Sequence, residues 1–163
     1  MISYHNGDLL ESGCEIICHQ VNLQGVIGGG LALQIVTKHP NVENEYKWFI
    51  SQIKNEEDLL GCCIQTKCID KFTKDLKYYV ANMFSQNIDF TTNIEALKQC
   101  IKELKRQIKT ECALYLEHHI VKVGIPYKYG CGIATGDWNE IEKIWVNAFK
   151  NETNIELQIW KLN

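Results

Sequence analysis

The chain has 163 residues, of which 45% are hydrophobic and 23% charged, and its formal net charge is −3. These values are typical of a folded domain, so we expect a single domain over residues 1–163. A single arginine, Arg106, and the negative balance argue against a polynucleotide groove, which needs clustered cations. No apolar run reaches the ~18 residues of a membrane span, and we expect no membrane partner.

The eight cysteines raise the question of disulfides or a metal site. The first residues contain no apolar stretch of the signal-peptide type, and Cys14 and Cys18 have zinc-like spacing without a second pair. We therefore expect free thiols in the reducing cytoplasm, no metal and no cofactor, in a monomeric protein.

Apolar runs and amphipathic segments alternate along the chain. The runs predict strands at residues 2–4, 15–21, 59–66, 77–84, 118–126 and 155–160. Helical spacing predicts helices at residues 31–38, at 42–53 with Asn41 as the cap, at 94–108 and at 139–149. The charged residues 67–77 predict an exposed turn or hairpin between two strands. This interleaving predicts an α/β fold with helices on both faces of a mixed sheet.

Two glycine-rich segments, residues 25–32 and 129–138, each follow a predicted strand and precede a predicted helix. Glycines at such a turn let backbone N–H groups converge on an anion at the helix N-terminus. The first segment lacks both the Gly-Lys-Ser/Thr of a P-loop and the Gly-x-Gly-x-x-Gly of dinucleotide folds. Together the two segments predict a diphosphate held between two loops.

Polar side chains near the predicted strand ends leave two interpretations open. Asp8 either belongs to an Asn-Gly turn or accepts a hydrogen bond from the exocyclic amine of a purine. His19 and Asn22 end a buried strand, where ligands bind in open α/β sheets. Either residue could instead be structural, through a buried hydrogen bond or a turn.

The chain resembles the macro domain family over nearly its whole length, in motifs that occur in the family's order and spacing. These are Gly7-Asp8-Leu9, His19-Gln20-Val21-Asn22, Gly28-Gly29-Gly30-Leu31-Ala32, Ile125-Pro126-Tyr127-Lys128 and Tyr129-Gly130-Cys131-Gly132-Ile133-Ala134-Thr135-Gly136. The likeness is to the branch with ADP-ribose-1″-phosphate phosphatases, DarG-like proteins and terminal ADP-ribose glycohydrolases. It implies a three-layer α/β/α sandwich with a mixed, mostly parallel sheet, and ADP-ribose as the ligand.

The resemblance also implies roles for individual residues. Asp8 would hold the adenine amino group beside the backbone of Leu9, and Asn22 would lie near the distal ribose. The first loop would contact the distal ribose and diphosphate through Gly28, Gly29, Gly30 and Leu31. The second phosphate loop would comprise Gly130, Cys131, Gly132, Ile133, Ala134, Thr135 and Gly136. Phe84 and Trp160 are candidates for an aromatic side chain that packs on the ligand.

For catalysis, the resemblance implies His19 as general acid or base and Asn22 at the distal ribose. An ordinary histidine pKa near 6.5 would give a pH limb there. Asp137 lies three residues after the family's aspartate position, and we expect that it could help to activate water. The lysine-dependent glycohydrolase branch is disfavoured, because Ala134 replaces its aspartate and Val36 stands where its lysine is expected. We expect hydrolysis at the distal ribose, with ADP-ribose-1″-phosphate as the leading substrate and ADP-ribosylated macromolecules as possible partners. The alternative is a non-catalytic ADP-ribose reader or scavenger.

Overall fold

The computed structural model describes residues 1–111 and 119–163. The strands are β1 (Ile2–Asn6), β2 (Ile16–Val21), β3 (Cys63–Ile69), β4 (Leu76–Phe84), β5 (Val121–Pro126) and β6 (Ile155–Lys161). The helices are α1 (Gly30–Lys38), α2 (Pro40–Gln52), α3 (Ile94–Glu111) and α4 (Trp138–Phe149). Two short 3₁₀ helices cover Leu9–Glu11 and Glu56–Leu59.

The described strands form one sheet in the order β1-β6-β5-β2-β4-β3. All neighbouring strands are parallel except β3, which pairs antiparallel with β4 through the hairpin expected at residues 67–77. The sheet is therefore mixed and mostly parallel, as the sequence predicts. β1 and β3 form its two edges.

The sheet separates two helical layers. α3 and α4 pack on one face, where the apolar side chains of β2, β5 and β6 form the larger core cluster with them. α1 and α2 cover the other face. Alternate apolar residues of β2 and β4 point to that side and pack against these helices. The result is the three-layer α/β/α sandwich that was expected.

Several predicted boundaries are wrong for identifiable reasons. α2 begins at Pro40 rather than after Asn41, because proline is accommodated at the first helical position. The Asn41 side chain donates instead to the carbonyl of Lys67. Leu59 ends a 3₁₀ helix, so β3 begins only at Cys63. The predicted strand start at His118 lies outside the described residues, and β5 begins at Val121.

The two glycine segments follow β2 and β5, which are neighbours in the sheet. Because both strands are parallel, the segments meet at the same carboxyl edge. Among the described residues, no helix has the length and apolarity to cross a membrane. Seven of the eight cysteines lie in the described ranges, where all are free thiols; Cys112 lies outside them.

Candidate functional site

A cavity of about 570 Å³ opens at the carboxyl edge of the sheet, between the two glycine segments. Its size lies within the range of small-molecule sites. It is lined by His19, Gln20, Val21, Asn22, Val26, Ile27, Gly28, Gly29, Gly30, Leu31, Ala32, Gln86, Phe90, Pro126, Lys128, Tyr129, Gly130, Gly132, Ile133 and Ala134. These lining residues include no carboxylate and one ammonium group, that of Lys128.

The first glycine segment leaves the N-terminus of α1 open to the cavity. Gly29 is the N-cap of α1, in extended backbone, and it supplies no side-chain oxygen to the first-turn amides. A Cβ added at Gly28, Gly29 or Gly30 would meet no other atom within 4 Å. Gly30 alone requires glycine for its own backbone, at φ 58°. Packing against the rest of the protein therefore does not explain the lack of side chains at these three positions.

The second glycine segment is more tightly built. The Gly136 amide donates to the Gly130 carbonyl at 2.9 Å. A Cβ at Gly136 would lie 2.5 Å from Ile141 and 2.7 Å from that same carbonyl, so glycine is needed for packing. The helix that follows, α4, is capped by Asp137, whose Oδ1 accepts from the Asn139 amide at 2.9 Å. The two helix N-termini thus differ: α4 is capped by its own carboxylate, and α1 has no side-chain cap.

A polar network centred on Gln20 holds the second segment in place. Gln20 Nε2 donates to Thr92 Oγ1 at 3.1 Å, and its Oε1 accepts from Gln86 Nε2 at 3.0 Å. Thr92 Oγ1 donates to the Gly130 carbonyl at 2.8 Å, and the Thr92 amide donates to the Ala134 carbonyl at 3.0 Å. Thr92 therefore anchors both ends of the turn that forms one cavity wall.

His19 lies at the floor of the cavity and is only 3% exposed. Its Nε2 donates to Asn82 Oδ1 at 2.5 Å, across the β2–β4 pair. Within the described part of the chain, His19 Nδ1 and Asn82 Nδ2 are buried without a hydrogen-bond partner. Burial lowers the pKa of His19 to about 4, and the hydrogen bond to Asn82 opposes this only in part. The expected pKa near 6.5 is therefore wrong, because that value assumes a solvated imidazole.

Asn22 lines the cavity, but most of its hydrogen-bonding capacity is used within the protein. Its Oδ1 accepts from the amides of Gln24 and Val26, both at 3.1 Å, and from the Tyr46 hydroxyl at 2.8 Å. Its Nδ2 donates to the Val26 carbonyl at 2.6 Å, which leaves one N–H for a ligand. Asn22 thus shapes the entry to the first glycine segment.

Asp8 and Leu9 lie outside the cavity lining. Asp8 Oδ1 accepts from the Leu10 amide at 2.8 Å and caps the 3₁₀ helix Leu9–Glu11, while its Oδ2 lies 3.9 Å from Lys38 Nζ. Leu9 is buried in the core between the sheet and α1. Asp8 therefore has a structural role as a helix cap, and a ligand contact would use its Oδ2.

The structure brings together ten of the sequence-predicted site residues in the cavity wall: His19, Asn22, Gly28, Gly29, Gly30, Leu31, Gly130, Gly132, Ile133 and Ala134. It places the others outside that wall: Asp8, Leu9, Cys131, Thr135, Gly136 and Asp137. The Cys131 thiol donates to the Tyr129 carbonyl, and burial raises its pKa, so it stays protonated near neutral pH.

Sequence reasoning missed Phe90 and Lys128 as lining residues and missed Asn82 as the partner of His19. Of the aromatic candidates, Phe84 is fully buried against Tyr46 and Phe49. The other candidate, Trp160, stacks on His5 with ring centroids 4.6 Å apart, away from the cavity wall. The register of β2 and β4 could have indicated Asn82, since both strands were predicted. No local signal marks Phe90, because it lies in an irregular turn.

A second hollow, of about 620 Å³, lies between β3 and α3 and is lined by Cys62, Glu103 and Arg106 among others. It is bordered by the middle of a helix and by an edge strand. It holds neither a helix N-terminus nor a glycine turn other than Gly61. The cavity at the carboxyl edge is the smaller of the two but the better candidate. Its uncapped helix N-terminus and the lack of carboxylates among its lining residues favour an anionic ligand.

A cleft above parallel strands, walled by two glycine segments, lies at the carboxyl edge of the sheet of this α/β/α sandwich. The macrodomain of Mycobacterium tuberculosis DarG superposes on it with a TM-score of 0.78, at 24% identity, over 98% of this chain and 97% of that one. Thermosipho africanus DarTG in complex with ADP-ribose gives 0.75 at 16% identity, over 95% and 40%. The chain has the macrodomain fold, which confirms the fold expected from the resemblance.

Three curated relatives are similar in sequence, two of them mycobacterial and one from yeast. A DNA ADP-ribosyl glycohydrolase of Mycobacterium tuberculosis is 26% identical over 161 residues, or 98% of this chain and 42% of the relative. The chain therefore spans about two fifths of the length of the mycobacterial relatives it matches. An ADP-ribose 1″-phosphate phosphatase of Saccharomyces cerevisiae is 24% identical over 164 residues, or 88% and 90% of the two chains. No family model matches the chain.

Proposed function

We propose that this chain binds ADP-ribose in the carboxyl-edge cavity and hydrolyses an ADP-ribose derivative at the distal ribose. The observation that carries the proposal is the uncapped N-terminus of α1, which faces a cavity without carboxylates. Backbone amides there favour a diphosphate through their hydrogen bonds and the helix dipole. The complex of Thermosipho DarTG with ADP-ribose and the names of the curated relatives support this ligand class.

The order of the strands supports one orientation of the ligand. Asp8 follows the edge strand β1, whereas His19 lies in β2 and Asn22 directly follows it, three positions further along the sheet. We propose that adenine lies toward Asp8, that the diphosphate lies at α1, and that the distal ribose lies near His19 and Asn22. Lys128 would add a positive charge to the wall that faces the phosphates.

In the proposed reaction, water is added across the bond that joins the distal ribose to its substituent: ADP-ribose is released with a free hydroxyl on the ribose, and the substituent leaves as phosphate, acetate or the freed macromolecule. With a pKa of about 4, His19 is neutral at physiological pH, and its buried, unpartnered Nδ1 would be the proton acceptor; the reacting water has to enter the cavity floor beside it. Asn82 would fix the tautomer by accepting the Nε2 proton. The substrates to compare are ADP-ribose-1″-phosphate, O-acetyl-ADP-ribose, and ADP-ribosylated protein and DNA.

Binding is tested by calorimetry with ADP-ribose, for which we expect a micromolar Kd, about −8 kcal/mol. Gly29→Val should abolish binding, because its side chain would enter the open space beside the α1 amides. The extended backbone of Gly29 accommodates valine, so the variant should fold. Gln34→Val, an exposed position of the same helix, is the matched control and should bind normally. Normal binding of ADP-ribose by Gly29→Val would contradict the proposed ligand site.

Catalysis is tested by turnover of the substrate panel. His19→Ala should lower kcat by roughly 10²–10⁴-fold with little change in ADP-ribose affinity, and wild-type activity should decline as pH falls toward about 4. Asp137→Asn separates two roles, because asparagine caps a helix as well as aspartate does. A selective loss of kcat in this variant would place its carboxylate in the reaction; unchanged turnover would leave Asp137 as a cap.

A non-catalytic reader is the second candidate. It is favoured by the engagement of Asn22 and Asp137 in hydrogen bonds that serve the fold. Tight ADP-ribose binding without turnover of any panel substrate would support this role over hydrolysis.

A further inference from the structure

Backbone strain is concentrated around the cavity. Among the described residues, four that are not glycine have left-handed backbone: Lys74 (φ 66°), Phe90 (φ 67°), Lys128 (φ 58°) and Thr135 (φ 53°). Phe90 and Lys128 line the cavity, and Thr135 lies in the second glycine segment. For a bulky residue this conformation is costly, because its Cβ crowds the backbone carbonyl. Such strain persists where the surroundings enforce it, and it is frequent at functional sites.

A hydrogen-bonded turn over residues 87–91 enforces the conformation of Phe90. The Phe90 amide donates to the Asn87 carbonyl at 2.9 Å, and the Asn87 amide donates to the Thr91 carbonyl at 2.8 Å. The Asn87 side chain donates to Thr91 Oγ1 at 3.0 Å and accepts from Asn93 Nδ2 at 2.8 Å. The turn is thus fixed by polar contacts, while Phe90 itself lines the cavity and is 37% exposed.

The position of this turn in the sheet indicates which part of the ligand it faces. The turn follows β4, whereas Asp8 follows β1, and four strand spacings separate these strands. At ~4.8 Å per spacing the two sites lie on the order of 19 Å apart. The turn also contacts the residue that precedes the first glycine segment, since Gln24 Nε2 donates to the Ile88 carbonyl at 3.2 Å.

We propose that Phe90 is a specificity-determining residue whose ring packs against the distal ribose, and that this contact is why a strained phenylalanine stands where the backbone favours glycine. This rests on the proposed function, which puts adenine at the Asp8 end. Aromatic side chains provide rigid apolar surface that packs against the face of a sugar. Nothing within the turn itself requires an aromatic ring, because its hydrogen bonds use backbone and polar side chains.

The test compares ADP-ribose with ADP, which lacks the distal ribose, on wild type and Phe90→Gly. Phe90→Gly should weaken ADP-ribose by about tenfold and change ADP by less than about twofold. Its Tm should stay within about 3 °C of wild type, because glycine relieves the left-handed strain as contacts are lost. Phe90→Tyr should retain ADP-ribose affinity, and Phe90→Leu should lose part of it.

Lys74→Gly is the matched control: its backbone is equally left-handed, in the exposed hairpin between β3 and β4. It should leave both ligands unaffected. Unchanged ADP-ribose affinity in Phe90→Gly, or equal losses for ADP and ADP-ribose, would overturn the proposal. So would a fall in Tm well beyond 3 °C, which would make the ring a packing residue. If wild type binds neither ligand, the proposed function itself fails, an outcome that is distinguishable from these.

Discussion

At the scale of single residues, the polar groups that the sequence predicted for the site also serve the fold. Asn22 closes the chain onto Val26, Asp137 caps α4, and Asp8 caps a 3₁₀ helix. Each of these side chains has remaining capacity toward a ligand, since one N–H or one carboxylate oxygen is left over. Substitution by alanine would therefore mix a loss of stability with a loss of binding. Variants that keep the hydrogen-bonding shape, such as Asp137→Asn, are the informative ones.

His19 makes folding stability depend on pH. Its pKa is about 4 in the folded chain and near 6.5 when solvated, so the unfolded chain binds the proton more readily between these values. The free energy of unfolding should then fall as pH drops from 7 to 5, by about 2 kcal/mol from this group alone. Chemical denaturation at the two pH values measures this difference.

His19→Gln is the control for that prediction, because glutamine can still hydrogen-bond Asn82 and carries no titrating group. Its pH difference should be smaller than that of wild type by the same amount. His39, whose pKa is also lowered by burial, contributes equally to both proteins and cancels. An identical pH dependence in the two proteins would show that the folded histidine titrates like a solvated one.

At the scale of elements, Thr92 couples the start of α3 to the second glycine segment. Thr92→Val keeps the shape and removes the hydroxyl, so the Gly130 carbonyl and Gln20 amide each lose a partner. ADP-ribose affinity should fall about tenfold as the cavity wall loosens, corresponding to about 1.4 kcal/mol. Thr92→Ser retains the hydroxyl and should bind almost as well as wild type. Equal binding by the two variants would show that the network does not position the wall.

The contrast between Gly29 and Thr92 shows what the sequence can predict. Glycine punctuation and strand periodicity are local, so the segments at 25–32 and 129–138 and most strands were predictable. The anchor of the second segment joins Gln20, Thr92 and Gly130, which are far apart along the chain and meet only in the folded sheet. The Phe90 turn was missed for a related reason: its backbone depends on hydrogen bonds that have no periodic pattern. Likewise, the burial that shifts the pKa of His19 follows from pairing with β4.

At the scale of the whole molecule, the candidate site lies at the carboxyl edge of the sheet, and the core lies between the sheet and its two helical layers. Ligand that binds only the folded chain should therefore stabilise the molecule as one unit. At about 100 times Kd, ADP-ribose should add about 2.7 kcal/mol and raise Tm by about 5–10 °C. Differential scanning fluorimetry measures this shift. Gly29→Val should unfold at the same temperature with and without ligand, and a shift in that variant would mean that ADP-ribose binds elsewhere.

The uncapped N-terminus of α1 also bears on the choice of buffer. Amides that would hold a diphosphate do not distinguish it from other small oxyanions by charge, so inorganic phosphate or sulfate competes for the same donors. In phosphate buffer, ADP-ribose would have to displace a bound phosphate ion. The measured affinity should then be weaker than in a buffer of bulky zwitterions. The other end of α1 presents free backbone carbonyls rather than amides, so competition for backbone amides is confined to the N-terminal end of the helix. Where inorganic phosphate is abundant, the apparent affinity for ADP-ribose would therefore depend on the contacts that its nucleoside and distal ribose make beyond those of the phosphates.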